Sequence, residues 1–185
     1  IAKLLTPFCK GLMGWGAKVP FWLFEANRER IGKDYLCELI QIVHEGRASS
    51  HPAFESDEEL RKKITSALRS GARRMHFGNV RGHVNSKALE QAVTAKYWED
   101  RILGANENRI FPNELEFSMS ANVGATWPAD LDLRMVKIKL FLPEENPNAR
   151  KFRHSDLHKW AKENRGGLLS ALAVLVNRWD QAGRP

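Results

Sequence analysis

Gly32-Lys33 stands where chemistry is easiest to build. An apolar run, Phe21-Trp22-Leu23-Phe24, gives way to a polar loop, Asn27-Arg28-Glu29-Arg30. A helical repeat of Leu36, Leu39, Ile40 and Val43 follows. A loop that feeds a helix start aims free backbone N–H groups at one point and favours an anion there. A lysine at that turn adds a mobile cation for terminal phosphates. The spacing Asn27-x-x-x-x-Gly32-Lys33-Asp34, with Ile31 before the glycine, is that of G-x-x-x-x-G-K-[ST]. Two positions depart from it. Asn27 replaces the first glycine, and asparagine enters the left-handed region more readily than most residues. Asp34 replaces the hydroxyl residue that would ligate magnesium. The alternative is a surface Gly-Lys turn before an ordinary helix.

The rest of such a site must come from elsewhere in the chain. Met75-His76-Phe77-Gly78 reads as a second strand with Asn79 at its carboxyl end. Phosphate hydrolases place an acid there to hold the metal and orient water. Asn79 can orient a water or bind a phosphate oxygen, or it is only a turn residue. His76, inside the apolar run, reads as a hydrogen-bonded core histidine. Ser118-Met119-Ser120-Ala121-Asn122-Val123-Gly124 puts a second amide, Asn122, at the end of a third strand, where it can sense a γ-phosphate or hold the attacking water. Asp130-Leu131-Asp132-Leu133-Arg134 precedes a fourth strand. Arg134 can reach a nucleotide held by a neighbouring subunit, or pair with Asp130 or Asp132.

The elements that must position these residues alternate. Strands are expected at 21–24, 75–78, 115–121 and 135–142, the last stopped by Pro143. Helices are expected after a short one within 1–19. One follows Lys33 and stops at Gly46. One is capped by Ser56 with Glu59 three residues on. One begins near Ser86 and carries Leu89, Val93 and Tyr97. Residues 46–55 read as a loop. Two helices close the chain, the last with Leu168, Leu169, Leu172, Leu175, Val176 and Trp179 on one broad face. This alternation predicts an α/β fold with a mainly parallel sheet. The expected organisation is a core over 1–145 and a C-terminal helical segment over 146–185.

The 185 residues suit one domain, or one domain with a small appendage, and 43% apolar against 28% charged residues allows a sizeable core. A net charge of +7 favours phosphate-bearing partners. Basic segments at Arg61-Lys62-Lys63, Arg69, Arg73-Arg74 and Arg81 can track a nucleic-acid backbone or simply form solvated faces. Cys9 and Cys37 cannot make a disulfide framework and lack metal-site spacing, so a reducing, cytoplasmic setting is expected. No apolar run approaches the roughly 18 residues a membrane helix needs. The six histidines show no catalytic or metal-ligand pattern, which weighs against a nuclease. The chain begins without Met and is expected to be a piece of a longer protein.

Taken in order, these pieces resemble helicase-like P-loop ATPases of the RecA/AAA type, and in particular the primase–helicase proteins of phages and integrated mobile elements. Asn27-Arg28-Glu29-Arg30-Ile31-Gly32-Lys33-Asp34 resembles their phosphate loop. Phe77-Gly78-Asn79-Val80 resembles their second strand, which often ends in Asp-Asn. Trp98-Glu99-Asp100-Arg101-Ile102-Leu103-Gly104 with Pro112-Asn113 resembles "W-x-D-R-x-L-G" followed by "P-N". Ser120-Ala121-Asn122-Val123 is similar to the sensor "S-G-N-V", and Asp130-Leu131-x-x-Arg134 to "D-L-x-x-R". Arg165-Gly166 to Leu172 and Gly183-Arg184-Pro185 look like the closing helix.

The resemblance implies a P-loop NTPase-like three-layer fold, ATP, Mg2+, DNA and a homo-oligomeric ring. It implies that Lys33 holds phosphates, Asn122 senses them and Arg134 acts on a neighbour's nucleotide. Gly78 departs from the family's metal-holding Asp. Asp34 either returns that carboxylate from the loop or repels the phosphates. Slow hydrolysis, or a silent module that binds nucleotide or nucleic acid for assembly, are both compatible with these departures. No primase domain is present.

Overall fold

The protein is described here by a computed structural model that covers residues 1–54, 56–101, 107–143 and 152–184. Strand β1 (Phe21–Ala26) follows helix α1 (Ala2–Met13) and leads into α2 (Lys33–Glu45). A two-residue strand β2 (His51–Pro52), α3 (Asp57–Arg69) and β3 (Arg74–Val80) come next. Then follow α4 (Lys87–Thr94), a hairpin of β4 (Tyr97–Arg101) and β5 (Asn108–Pro112), and β6 (Glu116–Ala121). Helix α5 (Ala129–Leu133), β7 (Met135–Leu140), α6 (Leu157–Glu163) and α7 (Arg165–Gln181) complete the order. Five strands form one parallel sheet in the order β2-β3-β6-β1-β7. The α/β class and mainly parallel sheet expected from the sequence are therefore present, as a P-loop-like three-layer fold.

Both faces of the sheet are covered, which is why β1 is apolar at consecutive positions rather than alternate ones. Phe21 and Leu23 point one way, onto Leu60 and Ile64 of α3 and Leu89 of α4, together with Met75, Phe77, Phe117 and Met119 of the neighbouring strands. Trp22 and Phe24 point the other way, onto Cys37 and Ile40 of α2. Each such side chain contributes about 1.5–3 kcal/mol by leaving water.

The second face turns polar along β6 and β3. Glu116 accepts from Lys3 of α1 at 3.5 Å and faces Arg74 at 3.4 Å, and Arg74 also meets Glu45 at 2.8 Å. Burial lowers the Lys3 ammonium to about 8, partly offset by Glu116. These buried charges fix α1 on the sheet.

Helices α3 and α4 are capped as a pair. Ser56 Oγ accepts from the Glu59 N–H at 3.2 Å, and Ser86 Oγ accepts from the Leu89 N–H at 3.0 Å. Ser86 Oγ also donates to Asp57, whose second oxygen accepts from the Ala88 N–H at 3.2 Å. Removing the buried hydroxyl costs a cap and one of the two hydrogen bonds to Asp57. Ser86→Ala is expected to cost about 2 kcal/mol and Ser56→Ala about 1 kcal/mol. Both are read as lower urea midpoints at unchanged slope. Equal costs would refute the Asp57 bridge.

Several sequence expectations are corrected. Helix α4 stops at Thr94 and does not reach Tyr97, which opens β4. The stop has a cause: buried Asn113 donates from Nδ2 to the carbonyls of Ala92 at 2.6 Å and Ala95 at 2.9 Å. Trp98 then seats the hairpin on α3, its indole N–H donating to Thr65 Oγ1 at 2.9 Å. Residues 51–52 pair with β3 instead of lying in a loop, and β7 ends at Leu140, before 142.

On α7 the buried residues are Leu172 and Val176, whereas Leu175 is 50% exposed, so the apolar face is narrower than expected. Arg165 donates to the carbonyls of Val43 at 2.9 Å and His44 at 2.7 Å, tying α7 to the end of α2. The boundary expected at 145/146 and residues 102–104 of the Trp98 segment lie outside the described residues, as does Pro185.

Candidate functional site

Strands β1, β6 and β3 are successive neighbours and parallel, so the loops leaving them open at one edge. Ligands of open α/β sheets bind outside this carboxyl edge. Three of the sequence-predicted positions, at the phosphate loop, at Asn79 and at Asn122, converge there.

Gly32 is the N-cap of α2, at φ 101°. It brings no side chain to the N–H groups of the first turn, which leaves them to an anion. Ile31 precedes it in the turn. Asn27 keeps an ordinary φ; the left-handed residues of the loop are Arg30, at φ 60°, and Gly32. Asn27 instead clamps the strand ends. Its N–H donates to the Leu140 carbonyl at 3.2 Å, its Nδ2 to the Leu142 carbonyl at 3.1 Å, and its Oδ1 accepts from the Leu142 N–H at 3.1 Å.

Lys33 is 8% exposed, and its Nζ lies 3.4 Å from Asp34 Oδ2. The other carboxylate oxygen of Asp34 accepts from Ser120 Oγ of β6. Ser120 Oγ accepts in turn from the Asn79 N–H at 2.9 Å, and Asn79 Oδ1 accepts from Asn122 Nδ2 at 2.7 Å. One hydrogen-bonded chain thus runs from the start of α2, across β6, to the two strand-end amides. Asn79 sits at φ 57°, where β3 breaks register between Phe77 and Val80. This bulge turns its N–H toward Ser120.

Ser120 is the residue that the sequence reading quoted but gave no role. The signal for it was the alternation Glu116, Ser118, Ser120, three polar side chains on one face of a strand otherwise buried. Alternation of that kind inside a covered sheet marks a polar seam under a helix.

Beside Asp34 a cavity of about 530 Å³ opens, lined among others by Glu38, His51, His76, Gly78 and Asn79. A Cβ on Gly78 would meet nothing nearer than Ser50 at 3.8 Å, so the missing side chain is part of that space. His76 is the expected core histidine. It is 3% exposed, and its Nδ1 lies 3.0 Å from Ser118 Oγ. Burial pushes its pKa down to about 4, against the pull of Asp34. Its Nε2 has no partner.

Magnesium takes hard oxygen ligands, usually one or two carboxylates with phosphates and waters. Asp34, with a side chain 47% exposed, offers one such carboxylate and Glu38 stands on the same cavity wall, whereas Gly78 offers none. That donor set fits a single cation held largely by a phosphate ligand. Among the described residues no three His, Cys, Asp or Glu side chains form a metal cluster.

Arg134 is not brought to this edge. It precedes β7, and Met135 pairs with Phe21 at the amino end of β1. That is about 20 Å from the carboxyl edge at strand rise. Its guanidinium donates to both oxygens of Asp130, at 3.1 and 3.3 Å, the pairing anticipated as the alternative to a finger. Among the described residues no helix is long and apolar enough to cross a membrane.

No protein-family model and no curated protein sequence matches the chain. Solved structures do. The apo A form of the NrS-1 C-terminal region is similar at a TM-score of 0.56 and 16% identity, over 80% of this chain and 34% of that one. The 305–718 form of the same region gives 0.57 and 14%, over 88% and 37%. The likeness is one of fold, and the chain spans about a third of those structures.

Proposed function

We propose that this chain is the nucleotide-binding core of a helicase-like ATPase from a phage or mobile-element replication protein of the primase–helicase type. The chain of hydrogen bonds Asp34–Ser120–Asn79–Asn122 carries this reading. It links a glycine-lysine helix start to two amides at the same sheet edge, the arrangement a terminal phosphate and its attacking water require. In this reading Gly32 and the first-turn N–H groups bind phosphate and Lys33 neutralises it. Asn79 and Asn122, hydrogen-bonded to each other, orient the attacking water with the amide groups that this contact leaves open. Asn27 and Ile31 shape the loop. Mg2+ would be held by Asp34 and would shield the charge of the transferred phosphoryl group.

Turnover is slow in a single subunit, because no acid stands at Gly78 and Arg134 lies at the far end of the strands. Arg134 serves a nucleotide on a neighbour in a ring. DNA binding belongs to the assembled protein, in the cytoplasm. The second reading is a silent assembly module; the Arg134–Asp130 pair and the empty position at Gly78 favour it.

The test is thermal melting with ATP, with and without Mg2+. Binding to the folded state alone must raise the midpoint. Gly78→Asp adds a carboxylate to the cavity that Asp34 and Glu38 already line. It is expected to tighten binding in Mg2+ by about tenfold and to weaken it in chelator. No midpoint shift for either protein at saturating ATP would rule out a nucleotide site.

A further inference from the structure

Asp34 replaces a neutral hydroxyl with a charge, directly beside the lysine that must reach phosphate. Its two oxygens are differently engaged. Ser120 Oγ holds one, and Ser120 is itself fixed by the Asn79 N–H, so the carboxylate cannot rotate freely. The other faces Lys33 Nζ at 3.4 Å. Lys33 is nearly buried, and this carboxylate is its neighbour in charge. A nucleotide approaching the loop therefore meets a lysine already neutralised and a carboxylate that repels it.

An unpartnered polar atom lies in the wall of the cavity beside Asp34. His76, which lines it with Asp34, leaves Nε2 without a partner, and the side chain is almost wholly buried. The nitrogen is closed off from the cavity surface, so a ligand oxygen or water pairs with it only as the wall shifts.

We infer that Asp34 holds Lys33 in the free protein and releases it to phosphate only in exchange for a divalent cation, so that nucleotide and cation enter the site as one unit. The inference rests on the phosphate-loop reading above. Ser120 is the positioning residue. By saturating one oxygen it keeps the other turned to the lysine before the exchange and to the cation after it.

The experiment is calorimetric titration with the non-hydrolysable analogue adenylyl imidodiphosphate, in Mg2+ and in EDTA. Wild type, Asp34→Asn and Lys33→Ala are compared, each checked for folding by its ligand-free melt. Asn is isosteric and can still accept from Ser120. Wild type is expected to bind at least roughly tenfold more weakly in EDTA. Asp34→Asn is expected to bind more tightly than wild type in EDTA and to lose most of the cation effect.

Wild-type affinities within about twofold in the two buffers would overturn the exchange and leave the phosphate-loop reading standing. A full cation effect in Asp34→Asn would also overturn it. Undiminished binding by Lys33→Ala would overturn the phosphate-loop reading and the exchange with it. Should Asp34→Asn fail to fold, the wild-type comparison alone decides.

Discussion

Lys33→Ala is expected to abolish nucleotide-dependent stabilisation while the ligand-free protein still folds. A ligand at a hundred times its dissociation constant adds about 2.7 kcal/mol to a folded state. For a chain of this size that is a rise of about 5–10 °C in the midpoint. Lys33 starts α2 beside Gly32 and is the cation at the carboxyl edge where β1, β6 and β3 end. Without it the phosphates meet the first-turn N–H groups and the Asp34 carboxylate without the ammonium that stands between them. The cost to the free protein is small, because the partner carboxylate is half exposed and such pairs contribute up to about 1 kcal/mol. A variant that folds and shifts as much as wild type would remove the phosphate loop from this fold.

Stability is expected to fall steeply with acid between pH 6.5 and pH 4. His76 has a folded pKa of about 4 against an ordinary value of 6.5, because burial disfavours the imidazolium. In that window the unfolded chain binds a proton that the folded chain refuses. Stability is therefore present above pH 6.5 and lost as pH falls toward 4. The slope approaches 1.4 kcal/mol per unit, and the whole contribution is about 3 kcal/mol. His44 is lowered to about 4 as well, by burial and then by Arg74, and it acts in the same direction. Urea unfolding at pH 7 and pH 5 measures the effect. His76→Gln cannot titrate and is expected to lose less stability than wild type over that interval, by about 2 kcal/mol. Parallel pH profiles for the two proteins would refute the burial of a neutral imidazole.

The fold was legible because its strands are short apolar runs and its helices carry their own caps. Ser56 with Glu59, Gly32 before Lys33 and Gly46 after Glu45 mark helix ends that appear where the sequence puts them. The hairpin was not legible. Leu89, Val93 and Tyr97 continue a helical period, and what breaks it is Asn113, some twenty residues further along, taking the carbonyls of Ala92 and Ala95. A contact from so far away leaves no trace in local periodicity. Trp98, hydrogen-bonded to Thr65, likewise depends on tertiary packing.

Residue types and spacing singled out Lys33, Asp34, Asn79 and Asn122, and the fold brings these four to one sheet edge. Ser120, which joins them, needed the register of β6 between β1 and β3 to be known. Asn27 was read for its backbone freedom, whereas its amide is used as a clamp on β7. Arg134 was read as either a finger or a partner of Asp130 or Asp132. Within one subunit it is the partner of Asp130.

The central claim is that nucleotide phosphates sit at the carboxyl edge of β1, β6 and β3. Backbone amide resonances followed during titration with Mg2+ and adenylyl imidodiphosphate test it most directly. The largest shifts are predicted at Gly32, Lys33 and Asp34, with a second group at Asn79, Ser120 and Asn122 carried along the hydrogen-bonded chain. Shifts confined to a cavity elsewhere on the surface, lined among others by Arg47, Arg73 and Arg74, with Gly32 and Asn79 unmoved, would contradict it.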